Sequence, residues 1–305
     1  MGHDHDHEGG HAHGPPKYGM AFAIGISLNL AFVVVEVIYG LLSHSMALVA
    51  DAGHNLSDVL GLALAWGATW LARKKPSKAR TYGFRRATIL AALANAVLLL
   101  VATGGVVWES VQRLSRPGVV EGKTVIVVAL VGVFINGASA LFFRSGKSDL
   151  NVRAAYLHLA ADAAVSLGVV VTGVILLYTR WNLLDPIVSL LLSAVIVGSS
   201  WSLLRKSLNL ALDAVPEGIN VDEVRAYLEG LNGVLEVHDL HVWAMSTTEN
   251  ALTAHLVMAG TSCHPRFLGE TCKFLSDDFG IEHATLQVEQ PEAPDPCRLA
   301  PDETL

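Results

Sequence analysis

Hydrophobic residues run in long blocks along most of this chain. Six can be delimited, at Tyr18–Leu42, Met46–Ala72, Ala87–Trp108, Thr124–Phe143, Ala154–Tyr178 and Leu183–Leu204. Each is near or above the roughly 20 residues that a helix needs to cross a bilayer. Strict period-2 alternation is absent, which speaks against an outer-membrane barrel. The first block is longer than a secretory signal core and has only Lys17 as a basic residue before it, so a cleavable signal peptide is not expected.

Beyond Ser207 the pattern changes. Val221–Leu231 reads as a short amphipathic helix, and Val234–Trp243 and Ala251–Met258 read as strands around a polar turn at Ser246–Asn250. Pro265–Phe279 reads as a second helix with proline in its first turn, and His283–Val288 as a last strand. The order αββαβ predicts a small α+β domain. The expected organisation is a polar tail over 1–17, a six-helix membrane domain over 18–206, a compact domain over 207–290 and a C-terminal tail over 291–305.

Composition agrees with a membrane protein. The 305 residues are 52% hydrophobic and only 16% charged, against about 25% charged residues in ordinary soluble domains. A net charge of −7 argues against nucleic acid as a partner, since phosphate contacts need clustered Lys and Arg. Three cysteines, Cys263, Cys272 and Cys297, do not make a disulfide framework. Basic residues concentrate in the loop after the second block (Arg73 to Arg86), after the fourth (Arg144, Lys147, Arg153) and at the end of the sixth (Arg205, Lys206). The other loops hold only Arg113, Arg116, Lys123 and Arg180. By the positive-inside rule both termini are expected to be cytoplasmic, with the chain in the cell (inner) membrane.

The chemistry lies in polar residues within the apolar blocks. Glu36 is in the first, Asp51, His54 and Asp58 are in the second, and His158 and Asp162 are in the fifth; Asn29, Asn95 and Asn136 add uncharged polar groups. Glu109 and Asp185 fall at helix ends, where water is expected near. A carboxylate at mid-bilayer costs about 2.5–3.5 kcal/mol on insertion scales. None of the six blocks contains Lys or Arg, so these acids have no fixed cation to pair with. They must be protonated, reached by water, or joined by a cation that comes and goes.

His54 and Asp58 are four residues apart in HNLSD, and His158 and Asp162 are four apart in HLAAD. Residues at i and i+4 share a helix face, about 6 Å apart along the axis. Two such faces opposed supply two imidazole nitrogens and two carboxylate oxygens, a tetrahedral set that suits Zn2+ better than Mg2+ or Ca2+. Asp51 and Asn55 share the stripe as outer partners or vestibule groups. HNLSD lacks the glutamate that follows the first histidine of HExxH, so an intramembrane metalloprotease is poorly supported. A mid-membrane cation site suits transport. A membrane sensor or receptor that binds metal without conducting it is the alternative reading.

ALVADAGHNLSD, RTYGFRRATILAALAN, LNVRAAYLHLAADAAVSLGVV, LDPIVSLL and VHDLHVWAMS resemble, in order and spacing, segments of the cation diffusion facilitator family. The resemblance runs from about Ala21 to Glu289. It implies a six-helix metal/proton antiporter with a ferredoxin-like cytoplasmic domain that forms a homodimer. It also implies a transport site at His54, Asp58, His158 and Asp162, in the pattern of zinc-transporting members, with Co2+, Cd2+ and Ni2+ left open. Cytosolic sensing sites are implied near His238, His255 and Glu289, with His283 as a further candidate. A regular strand would point His238 and His241 to opposite faces. Loop sites of some members are missing from Lys74–Arg86 and Ser145–Arg153. The histidine-rich tract is N-terminal instead (His3, His5, His7, His11, His13), as in the bacterial cobalt–zinc–cadmium resistance branch.

Overall fold

The computed structural model describes residues 19–143, 150–259 and 265–291. The N-terminal histidines, Cys263, His264 and Cys297 lie outside the described residues, as does the side chain of His158. Six long helices come first: α1 (Gly19–Leu42), α2 (Met46–Ala72), α3 (Ala87–Ser115), α4 (Gly122–Phe143), α5 (Leu150–Thr179) and α6 (Leu184–Ala211). They are followed by α7 (Val221–Glu229), β1 (Val234–Ala244), β2 (Asn250–Met258), α8 (Pro265–Phe279) and β3 (His283–Glu289). Four stretches among the described residues are long and apolar enough to cross a membrane: Ala87–Ser115, Gly122–Leu141, Leu159–Thr179 and Leu184–Ala211; Asn29–Leu42 is a shorter apolar one. Large apolar side chains such as Val101, Trp108, Phe134 and Val195 are exposed on these helices. Surface of that kind belongs in lipid, where the helical backbone satisfies its own hydrogen bonds.

The chain divides into two compact units, one formed by residues up to Val59 with Ala102–Val195, the other by Leu60–Val101 with residues from Ile196 onward. In the first unit, Phe32, Leu48, Val125, Val128, Ala129 and Val169 form a buried cluster. Glycines let the helices approach. A Cβ on Gly132 of α4 would stand 2.7 Å from the Phe32 ring of α1 and 3.0 Å from Ser166 Oγ of α5. A Cβ on Gly122 would stand 2.9 Å from the Gly173 carbonyl oxygen, so α4 and α5 touch backbone to backbone there. Close approach at small residues is how helices associate where no hydrophobic effect separates them from lipid.

Asp185 does not face water. It is fully buried and caps the start of α2. Its carboxylate accepts hydrogen bonds from Ser45 Oγ (2.5 Å), Met46 N (2.7 Å) and Ala47 N (3.3 Å). The first N–H groups of a helix have no partner within it and carry its positive dipole end, so a carboxylate satisfies both needs. Its place in the first turn of α6 serves that helix in the same way.

In the second unit, β1 pairs antiparallel with β2, and β2 pairs parallel with β3. Leu240, Val242, Leu252, Ala254 and Leu256 turn one face of this sheet onto Val224 and Leu228 of α7 and Leu275 of α8. Asn220 caps α7 by accepting from Asp222 N at 3.1 Å. The α2–α3 loop and the start of α3 meet the sheet domain directly. Arg86 pairs with Asp213 at 2.5 Å, Arg85 with Glu249 at 3.2 Å, and Thr247 N donates to Thr88 Oγ1 at 3.1 Å.

Candidate metal sites

The helical period of α2 places His54 and Asp58 one turn apart on one face, and α5 brings Asp162 against them. His54 Nε2 lies 3.3 Å from Asp162 Oδ1 and 4.0 Å from Asp58 Oδ2. One donor atom from each residue falls within 4.8 Å of the others, a spacing that one ion can bridge. Asp162 is buried, while His54 and Asp58 are partly open, so the cluster has a way in for an ion. His158 occupies the turn of α5 before Asp162, its side chain being outside the description.

A second polar layer sits deeper, between α1, α2 and α5. Asn55 Nδ2 donates to Glu36 Oε2 at 3.0 Å, and Ser166 Oγ donates to Asp51 Oδ2 at 3.1 Å. The Glu36 and Asp51 carboxyl groups are within hydrogen-bond reach of each other. Glu36, Asp51, Asn55 and Ser166 are all buried. Spacing along the sequence could not reveal this layer, because Glu36 and Asp51 belong to different helices.

The sheet domain holds another cluster. His238, His255 and Glu289 each offer a donor atom within 4.8 Å of the others. His255 Nδ1 is 2.9 Å from Glu289 Oε1, and His238 Nε2 is 3.5 Å from Glu289 Oε2. His238 is buried, yet neither of its ring nitrogens has a hydrogen-bond partner. Burying an imidazole with both nitrogens unsatisfied is costly, and a metal ion would relieve the cost. His283 is not in this cluster; it begins β3 beside Ala251 and stands edge-on to Tyr82, whereas Glu289 ends the strand.

The two β1 histidines are not on opposite faces. Asp239 has φ +49°, and the β1–β2 register shifts between His238 and His241. This bulge moves the alternation by one residue, so Val237 and then Leu240, Val242 and Ala244 are buried. His238 and His241 therefore share the face turned away from the helices. His241 Nε2 is taken up by Asp239 at 3.0 Å and stays outside the metal cluster.

A helical membrane domain bearing converging His and Asp donors, joined to a small sheet domain, defines a metal-handling membrane protein. Residues 22–210 match the cation efflux transmembrane domain, and residues 216–291 match the cytoplasmic domain of cation efflux proteins. The chain belongs to the cation efflux family, the cation diffusion facilitators, which are transporters.

Among its relatives, the metal cation efflux system protein CzcD of Cupriavidus metallidurans is 36% identical over 291 residues, covering 94% of this chain and 90% of that protein. The zinc transporter ZitB of Escherichia coli is 36% identical over 308 residues, covering 98% and 96%. A cadmium, cobalt and zinc/H(+)-K(+) antiporter of Bacillus subtilis is 30% identical over 285 residues, covering 92% of each. The solved metal-bound C-terminal domain of the CzcD transporter is 36% identical, covers 23% of this chain and 99% of its own, and has a TM-score of 0.21.

Proposed function

We propose that this protein exports divalent transition-metal cations, chiefly Zn2+, from the cytoplasm in exchange for protons. The transport site comprises His54, Asp58, His158 and Asp162, between the second and fifth helices. The observation that carries this reading is the convergence of His54, Asp58 and Asp162 within 4.8 Å in a helical domain whose apolar blocks hold no Lys or Arg. The reading includes six spans, both termini cytoplasmic, a ferredoxin-like αββαβ domain, and a homodimer in the cell membrane. The names of the relatives support zinc, cobalt and cadmium as substrates and protons as the counter-ion.

The donor chemistry supplies the exchange. Zn2+ binds neutral imidazole and ionised carboxylate, so loading metal releases protons and returning protons eject metal. Two orientations of the site, each exchanging one cargo for the other, then give export driven by the inward proton gradient. His238, His255 and Glu289 form a regulatory site in this scheme. Metal there would bias the transport domain only through different affinity in the two states.

Proteoliposomes provide the test. Zinc flux should follow an imposed pH gradient, and Asp162→Ala should abolish it. Full flux in that variant would remove the site assignment. Stoichiometric binding with no flux in the native protein would favour the sensor reading instead.

A further inference from the structure

The Glu36–Asp51 layer lies behind the candidate metal donors and is separate from them. Glu36 and Asp51 are 0% and 1% exposed. Their carboxyl groups face each other, although two carboxylates cannot hydrogen-bond without a proton between them. Asn55 satisfies Glu36 Oε2 and Ser166 satisfies Asp51 Oδ2, but Glu36 Oε1 has no hydrogen-bond partner and neither does Asn55 Oδ1. Both orphaned atoms are buried acceptors, so the layer lacks donors.

Among the described residues, His54 is the one base that the neighbouring elements bring near them. From α2, Glu36 is faced by Asp51, with His54 one turn further on. From α5 come Ser166 and, beyond it, Asp162. The α4 helix packs on α1 and carries no acid or base apart from Lys123 in its first turn, and α1 itself adds only Tyr39.

We infer that Glu36 is a proton-binding site separate from the metal ligands, sharing a proton with Asp51 and releasing it when metal occupies the adjacent site. This deepens the exchange reading and rests on it. Asp51 lies one turn before His54 and within electrostatic range of both His54 and Asp162. A dication among those donors favours the ionised form of both buried acids. By linkage, a proton on Glu36 weakens metal binding by the same factor that metal weakens its own. The layer thus couples the two cargoes without sharing a ligand.

The test uses the full chain and Zn2+ alone. In the native protein, infrared difference spectra on adding zinc should show loss of a protonated carboxylic-acid band. Glu36→Gln keeps the side-chain shape and the Asn55 contact, and should lack that band. Zinc should still bind this variant, with about one fewer proton released per ion. Its zinc flux should depend at least about tenfold less on the pH gradient. An acid band missing from the native protein, or unchanged by zinc, overturns the inference without reliance on any variant. Equal proton release in native and variant protein overturns it as well. Native vesicles without pH-driven flux would sink the transport reading instead, while the band and the proton count would still decide the role of Glu36.

Discussion

His238 shows how one residue can carry a site's signature. A buried histidine in a domain core normally hydrogen-bonds through at least one ring nitrogen. Here both are unsatisfied, with Glu289 and His255 alongside. On the proposed regulatory role, His238→Ala should lower bound zinc by about one ion per chain while pH-driven flux persists. Metal analysis of purified protein, beside vesicle flux, checks this, and an unchanged zinc count would refute it. The i, i+4 spacing of His54 and Asp58 made their shared face legible from sequence, because the helix period is regular. The face of His238 was not legible. A single bulge residue, Asp239, inverts the alternation that a strand reading relies on. Nor was the contact of Glu36 with Asp51, since nothing in local spacing says which faces of two helices meet.

The helices were legible as elements because an apolar block that long has few other folds open to it. Their ends were less so. The apolar pattern starts the sixth block at Leu183 and puts Asp185 near water, whereas that aspartate is sealed in as the cap of α2. How tightly the helices pack depends on glycines that the apolar pattern does not distinguish from any other small residue. Gly132 and Gly137 are both in α4, but only at Gly132 would a Cβ collide with neighbours. Gly132→Val should therefore destabilise the protein by about 1–3 kcal/mol, and thermal unfolding in detergent should register it. Gly137→Ala should be neutral or stabilising by up to about 1 kcal/mol, because its Cβ position is open. Equal effects from both substitutions would contradict the packing described.

At the scale of the whole molecule, acidity should act through imidazole. Ordinary imidazole titrates near pH 6.5, and only its neutral form binds zinc. If the proposed transport site is right, lowering pH from 7.5 to 5.5 should weaken zinc there by at least about tenfold for each histidine ligand that must lose a proton. Calorimetric or dye-competition titration across that range measures the slope. A flat profile would mean that imidazole is not a ligand. On the proposed exchange, protonation of the site from outside opposes rebinding there, while neutral cytoplasm favours loading.

The carboxylate of Asp185 ties these scales together. It holds the first turn of α2 with two hydrogen bonds and the preceding Ser45 with a third, while rooted in the first turn of α6. The helix that carries His54 and Asp58 is thereby bolted at one end to a neighbour that carries no metal donor. Any tilt that turns the donors from one side of the bilayer to the other must drag α6 along as a stiff lever or break that bolt.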